Sequence, residues 1–200
     1  LLGEHLDYNG GCVLPLQIDK SVTIKIEHKS DIEGILIKSR NYKEEILITN
    51  YSEKLNSWAD FIIGSCDYFK RFYKTDISNI SVNIESNLPI GIGLSSSAAT
   101  CVSMIRALSN LFEINLDQSK MVKIAHCIEN DFVGVGGGVM DQFVSVYGET
   151  DKALFLNTKN NDYKLIPLFD DYNFQIIDSG IKRILSDSAF NDRKKMCNQS

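Results

Sequence analysis

The stretch that most constrains this chain is a change of period between residues 79 and 112. Ile80, Val82 and Ile84 alternate with polar neighbours, which predicts a strand over Asn79 to Ser86. Pro89-Ile90-Gly91-Ile92-Gly93-Leu94-Ser95-Ser96-Ser97-Ala98-Ala99 follows, and then a helical pattern runs from about Ser96 to Phe112. Gly91 and Gly93 can take backbone angles closed to other residues and let a ligand approach the main chain. The three serines supply hydroxyls, and the helix start supplies free N–H groups and the positive end of the helix dipole. Such a joint is an anion cradle. The same residues also read, without any ligand, as a serine-capped helix after a tight turn. The stretch is not a Walker A loop, because no Gly-Lys-Ser/Thr follows, nor a dinucleotide fingerprint, because the third glycine is missing.

Around this joint, strand periodicity is read at Val22 to Ile26, Gly34 to Lys38 and Glu45 to Thr49. Trp58, Phe61, Ile62, Phe69 and Phe72 recur at helical spacing, which predicts an amphipathic helix over Asn56 to Tyr73. A second helix is expected over Leu116 to Asp131, with Asp117 as N-cap. Further strands are expected near Ala153 to Leu156, Lys164 to Pro167 and Phe174 to Asp178, and a polar helix over Ser186 to Ser200. Helices and strands mix irregularly, without repeats or linkers, so an α+β domain is expected rather than a doubly wound sheet.

Composition removes several classes. With 200 residues, 44% hydrophobic and 24% charged, the chain can bury a sizeable core and is too apolar for disorder. No apolar run is long enough to cross a membrane as a helix. A net charge of −5 argues against a general nucleic-acid binder but not against a local anion site. The five cysteines are scattered with no CxxC pair, so neither a zinc site nor a disulfide framework is expected, and a reducing, cytoplasmic setting fits. The chain opens on Leu1 without a Met and stops at Ser200 within a helical pattern, so it is read as a piece of a longer protein.

Two other segments carry polar groups suited to chemistry. Gly3-Glu4-His5-Leu6-Asp7-Tyr8-Asn9-Gly10-Gly11 places three polar side chains in four positions, a fan suited to sugar hydroxyls or simply a solvated turn. Gly134-Val135-Gly136-Gly137-Gly138 lets the backbone wrap closely round a ligand, and Asp141 follows among apolar neighbours. Such surroundings can hold a carboxylate shielded from water, and an N-capping role for Asp141 explains it equally well. Glu129, taken alone, reads as a surface acid on the second helix. His28 and His126 read as ordinary structural histidines, and Arg193-Lys194-Lys195 as a solvated face. A serine hydrolase is disfavoured by the lack of a Gly-x-Ser-x-Gly elbow.

Together these segments resemble the galactokinases, within a superfamily that includes homoserine, mevalonate and phosphomevalonate kinases. Gly3-Glu4-His5-x-Asp7-Tyr8 is similar to the galactokinase signature, Pro89 to Ala98 to the superfamily's phosphate-binding motif, and Val139-Met140-Asp141-Gln142 to the segment with the catalytic acid. Asp178 to Cys197 is similar to a further galactokinase segment. The resemblance implies ATP-dependent phosphorylation of the anomeric hydroxyl of galactose. It implies that Glu4, His5, Asp7 and Gly138 hold the sugar and that Asp141 is the catalytic acid beside it. Gly91, Gly93, Leu94, Ser95, Ser96 and Ser97 would line the ATP phosphates, and Ser97 and Glu129 would bind Mg2+. It implies a ribosomal-protein-S5 domain 2-like fold, a mixed sheet with helices, over residues 1–182. Residues 183–200 would begin a ferredoxin-like second domain that completes the ATP cleft, so this piece alone is expected to be weakly active or inactive. The family's arginine upstream of Glu4 and its C-terminal glycine-rich motif lie outside this chain. Phe190 stands where galactokinases often carry a sugar-contacting tyrosine, and Arg183-Ile184-Leu185 departs from His-Ser-Leu. N-acetylgalactosamine or arabinose as substrate, or a non-catalytic sugar sensor, are the alternatives. Neither nucleic acid nor membrane is expected as a partner.

Overall fold

The computed structural model describes residues 2–89, 91–169, 171, 174–178, 180 and 196–197. In chain order the elements are β1 (Cys12–Val13), β2 (Val22–His28), β3 (Ile35–Ser39), β4 (Glu44–Ile48), α1 (Asp60–Tyr73), β5 (Ile80–Ser86), α2 (Ser96–Leu111) and α3 (Gln118–Cys127). A π-helical turn (Ile128–Val133), α4 (Met140–Tyr147), β6 (Lys152–Asn157) and β7 (Asp162–Pro167) complete the set. The mixture is α+β, as the irregular alternation of periods predicts.

Four strands form a mixed sheet in the order β2-β5-β3-β4, with β3 parallel to β5 and the other pairs antiparallel. The parallel pair requires a crossover, and α1 supplies it. Alternation decides which face is covered. Ile35 and Ile37 of β3 and Val82 of β5 are buried, together with Ile62, Ile63 and Phe69 of α1 and Met104, Ile105 and Leu108 of α2. Each large apolar side chain fully buried contributes roughly 1.5–3 kcal/mol, so this layer dominates the stability. The intervening positions carry the ion pairs Lys38–Glu45 at 2.9 Å and Arg40–Glu85 at 2.6 Å. Such exposed pairs add at most about 1 kcal/mol each and mark a solvated face.

A second, antiparallel sheet has the order β1-β6-β7. It seats the N-terminal segment: Leu2 pairs with Leu14, and the amide of Thr158 donates to the carbonyl of Gly11 at 3.0 Å. Residues 3–11 are thereby closed into a loop whose two ends are pinned to one sheet.

Three expectations from periodicity are corrected. The first helix begins at Asp60, not Asn56, because buried Asp60 accepts hydrogen bonds from the amides of Leu55 (2.8 Å) and Ser57 (3.2 Å) and holds that stretch in a turn. The helix expected to run on to Asp131 ends at Cys127 and widens into the π-helical turn, although Asp117 does cap it, accepting from the Lys120 amide at 2.7 Å. Phe174 to Asp178 is irregular rather than a strand. The expected helix over Ser186 to Ser200, apart from Met196 and Cys197, and the sugar-specificity positions Arg183 to Leu185 and Phe190 lie outside the described residues. Among the described residues, no helix is long and apolar enough to cross a membrane.

Candidate active site

β5 delivers the chain to the glycine–serine joint. Gly91 and Gly93 both take left-handed angles, φ 74° and 78°, and Ser95 follows at φ 55° and ψ 33°, directly before α2. Among the described residues nothing lies within 4 Å of a Cβ built on Gly93, so that glycine is required by its backbone angle and leaves open space above it. Ser95 occupies the N-cap position, yet among the described residues its side chain makes no capping hydrogen bond. The serine-capped reading therefore fails at this position. The first turn of α2 carries no acid of its own, although the Glu129 carboxylate reaches it through Ser97. Leu94, Ser95, Ser96 and Ser97 complete the passage into the helix.

Two acids meet behind this joint. Glu129 sits in the π-helical turn, whose widened backbone is held by hydrogen bonds from the amides of Gly134 (2.8 Å) and Val135 (2.9 Å) to the Glu129 carbonyl. π-Turns inserted after an α-helix frequently mark functional positions. Far from being a surface acid, Glu129 is 4% exposed. Burial pushes its pKa up to about 8, the Asp141 charge pushes in the same direction, and the Ser97 hydroxyl and Gln142 amide partly offset both. Gln142 Nε2 donates to Glu129 Oε2, while Glu129 Oε1 is buried with no hydrogen-bond partner among the described residues. Glu129 thus couples the serine joint, through Ser97, to the start of α4, through Asp141.

Asp141 is the second residue of α4, and the N-cap is Val139, so the capping explanation for this aspartate is set aside. It is half-buried, and its backbone carbonyl accepts from Ser145 Oγ at 2.8 Å.

The third segment arrives from the N-terminal loop. Gly138 lies against Asp7 so closely that a Cβ there would overlap Asp7 Oδ2 and Cγ. Burial raises the Asp7 pKa and the nearby Glu4 charge adds to this, while the backbone amides of Asp7, Tyr8 and Gly138 pull it back. His5 takes a left-handed angle, φ 63°, with Nδ1 2.6 Å from Tyr8 Oη, and Asn9 Nδ2 donates to its carbonyl at 2.8 Å. Glu4 is exposed, while His5 and Asp7 are half-buried.

Each of the three segments singled out by sequence is thus linked to another: Asp7 to Gly138, and Asp141 through Glu129 to Ser97. Two features were missed. Gln142 was read only as part of a motif, and its contact with Glu129 has no periodic signature. Trp58 was read as a helix position. Instead its ring stacks on Tyr42 at 4.8 Å between centroids, and its Nε1 donates to Glu44 at 3.0 Å. Tyr42, Trp58, Phe61 and Leu88 line a pocket that reaches Ser96 and Ser97.

Comparisons with known proteins point to one family. Residues 60–149 match the family model described as the GHMP kinases N terminal domain, and residues 1–28 match the galactokinase galactose-binding signature. The fold and the order of its motifs therefore define a GHMP kinase N-terminal domain. The galactokinase of Thermosipho africanus is 42% identical over 199 residues, covering 98% of this chain and 55% of that protein. That of Thermotoga maritima is 41% identical over 201 residues, covering 100% and 56%. The crystal structure of Lactococcus lactis galactokinase complexed with galactose superposes with a TM-score of 0.82 at 26% identity, covering all of this chain and 55% of that one. The chain belongs to the galactokinase family. It spans about half the length of the curated relatives it matches.

Proposed function

We propose that the protein containing this chain transfers the γ-phosphoryl group of ATP to the anomeric hydroxyl of galactose, giving galactose 1-phosphate and ADP. The observation that carries the reading is the burial of Glu129 between Ser97 of the serine joint and Asp141 of α4, with Asp7 seated on Gly138 three residues before Asp141.

In this reading Glu4, His5 and Asp7 accept from and donate to the sugar hydroxyls, and the Gly138 backbone closes on the sugar beside Asp7. Asp141 orients the anomeric hydroxyl and takes up its proton as the bond to phosphorus forms, a role worth roughly 10²–10⁴-fold in rate. The main chain at Gly91, Gly93 and Leu94, the hydroxyls of Ser95, Ser96 and Ser97, and the N-terminus of α2 hold the phosphates. The pocket lined by Tyr42 and Trp58 offers a flat apolar surface for the adenine.

The residues also fit a divalent cation. Glu129 Oε1 is buried with no hydrogen-bond partner among the described residues, and burial together with the Asp141 charge raises the Glu129 pKa, a shift that a bound cation would reverse. Among the described residues there is no cluster of three or more His, Cys, Asp or Glu. A site made of Ser97 and Glu129 suits Mg2+, which binds through one or two carboxylates plus substrate phosphates. When bound, the ion supplies charge against the transferring phosphoryl group. The chain's own part is to bury Glu129 beside the serine joint and to exclude water around it, and a bound cation would supply the positive charge that favours its ionised form.

Residues 1–182 are assigned to the sugar- and ATP-binding domain and residues 183–200 to the start of the next, in a cytoplasmic enzyme. The test is a sugar panel on the full-length protein with ATP and Mg2+, comparing galactose, N-acetylgalactosamine and arabinose. ADP release with galactose at the highest kcat/KM is expected. A preference for another sugar would overturn the substrate, and sugar and ATP binding without turnover would overturn the enzyme.

A further inference from the structure

We propose that Gln142 is a positioning residue that clamps the Glu129 carboxylate through Oε2, so that Oε1 is left facing the divalent cation. This inference rests on the metal role proposed for Glu129. Gln142 is 1% exposed, and its Nε2 donates to Glu129 Oε2. The backbone of Glu129 is fixed separately, by the amides of Gly134 and Val135 on its carbonyl. What remains is the rotation of the carboxylate, which Gln142 holds from the α4 side while the Ser97 hydroxyl meets it from the serine joint.

The choice of an amide is informative. A lysine or arginine at position 142 would neutralise Glu129 and compete with a divalent ion for it. A glutamine donates a hydrogen bond without bringing a positive charge of its own. The clamp carries a penalty, because Gln142 Oε1 is itself buried with no hydrogen-bond partner among the described residues. A leucine or methionine would fill the same space without that unpaired acceptor. The glutamine is therefore explained by the carboxylate beside it, since it supplies the donor to Oε2 and leaves Oε1 as the oxygen presented. Gln142 also follows Asp141 on the same turn of α4, so one helix sets both the orientation of Glu129 and the position of Asp141. Outer partners of this kind are what fix the ligating oxygens of metal sites.

The test uses the full-length protein with a non-hydrolysable ATP analogue, titrating Mn2+ by electron paramagnetic resonance. Q142L is expected to raise the apparent Kd for Mn2+ about tenfold or more while leaving the Kd for galactose within about twofold. Should Q142L unfold without a cooperative transition, Q142M, which keeps the side-chain length, is read by the same criterion. The reciprocal exchange E129Q/Q142E preserves the buried acid–amide pair and its volume. It is expected to fold cooperatively yet remain about tenfold or more weakened for Mn2+. An Mn2+ affinity within about twofold of wild type in Q142L, or restored by the exchange, would overturn the proposal. E129Q separates the two layers of the argument. If E129Q weakens Mn2+ binding and Q142L does not, only the clamp falls. If E129Q leaves the affinity unchanged, the metal role of Glu129 falls and takes the clamp with it.

Discussion

Gly138 lacks a side chain because Asp7 fills the space one would need. Gly138→Ala therefore has to push Asp7 and the loop behind it, and misplacing a group proposed to hold the sugar by about an ångström can cost 10²-fold. We expect kcat/KM for galactose to fall roughly 10–100-fold, with the KM for ATP changed little. Steady-state kinetics with each substrate varied checks this, and an equal loss against both substrates would contradict it. Glu129 allows a second prediction. Its pKa is raised from the ordinary 4.5 to about 8, chiefly by burial. Between these values the folded protein keeps a proton that the unfolded chain has released. Stability of the metal-free protein should thus fall as pH rises from about 4.5 through about 8, and level off above. E129Q should remove this component and be the more stable protein above pH 8. Urea midpoints measured across that range decide, and parallel curves for the two proteins would contradict the assignment. None of this is visible in the sequence around Glu129, which reads as one more acid on a polar helix face.

At the scale of elements, periodicity made most of the frame legible. Alternation at Val22 to Ile26 and Ile80 to Ile84 corresponds to β2 and β5, and Asp117 caps α3 where its spacing predicts. Two of the misreadings share a cause, in that a periodic pattern lost to specific contacts it does not encode. Trp58 has helical spacing, but Asp60 binds the amides of Leu55 and Ser57 and delays the helix. The π-helical turn has no period of its own and is set by packing: a Cβ on Gly64 of α1 would lie 2.7 Å from Phe132 and 3.0 Å from Ile128. Gly64→Ala must separate α1 from this turn. We expect a loss of about 1–3 kcal/mol in stability, as for other overpacked positions. The Mg2+ concentration for half-maximal turnover should also rise, because Glu129 moves with the turn. Denaturation and metal titration of the same variant check both, and a stability loss with an unchanged Mg2+ requirement would separate the packing from the site.

On the scale of the whole molecule, the site is made of three segments far apart in the sequence. The N-terminal loop is pinned to β1 and β6, the serine joint lies between β5 and α2, and the glycine run lies before α4. The segments were legible one by one, and their order carried the family resemblance. Their convergence was not, because it depends on long-range packing rather than on any local pattern. The most direct test of the account is Asp141→Asn in the full-length protein. It removes the charge proposed to receive the anomeric proton and keeps the shape of the side chain. Rapid-quench single-turnover measurement, with the product identified by phosphorus nuclear magnetic resonance, should give galactose 1-phosphate from the wild type. The variant should react roughly 10²–10⁴-fold more slowly with galactose and ATP affinities nearly unchanged. A variant that forms the same product at the wild-type rate would contradict the central claim.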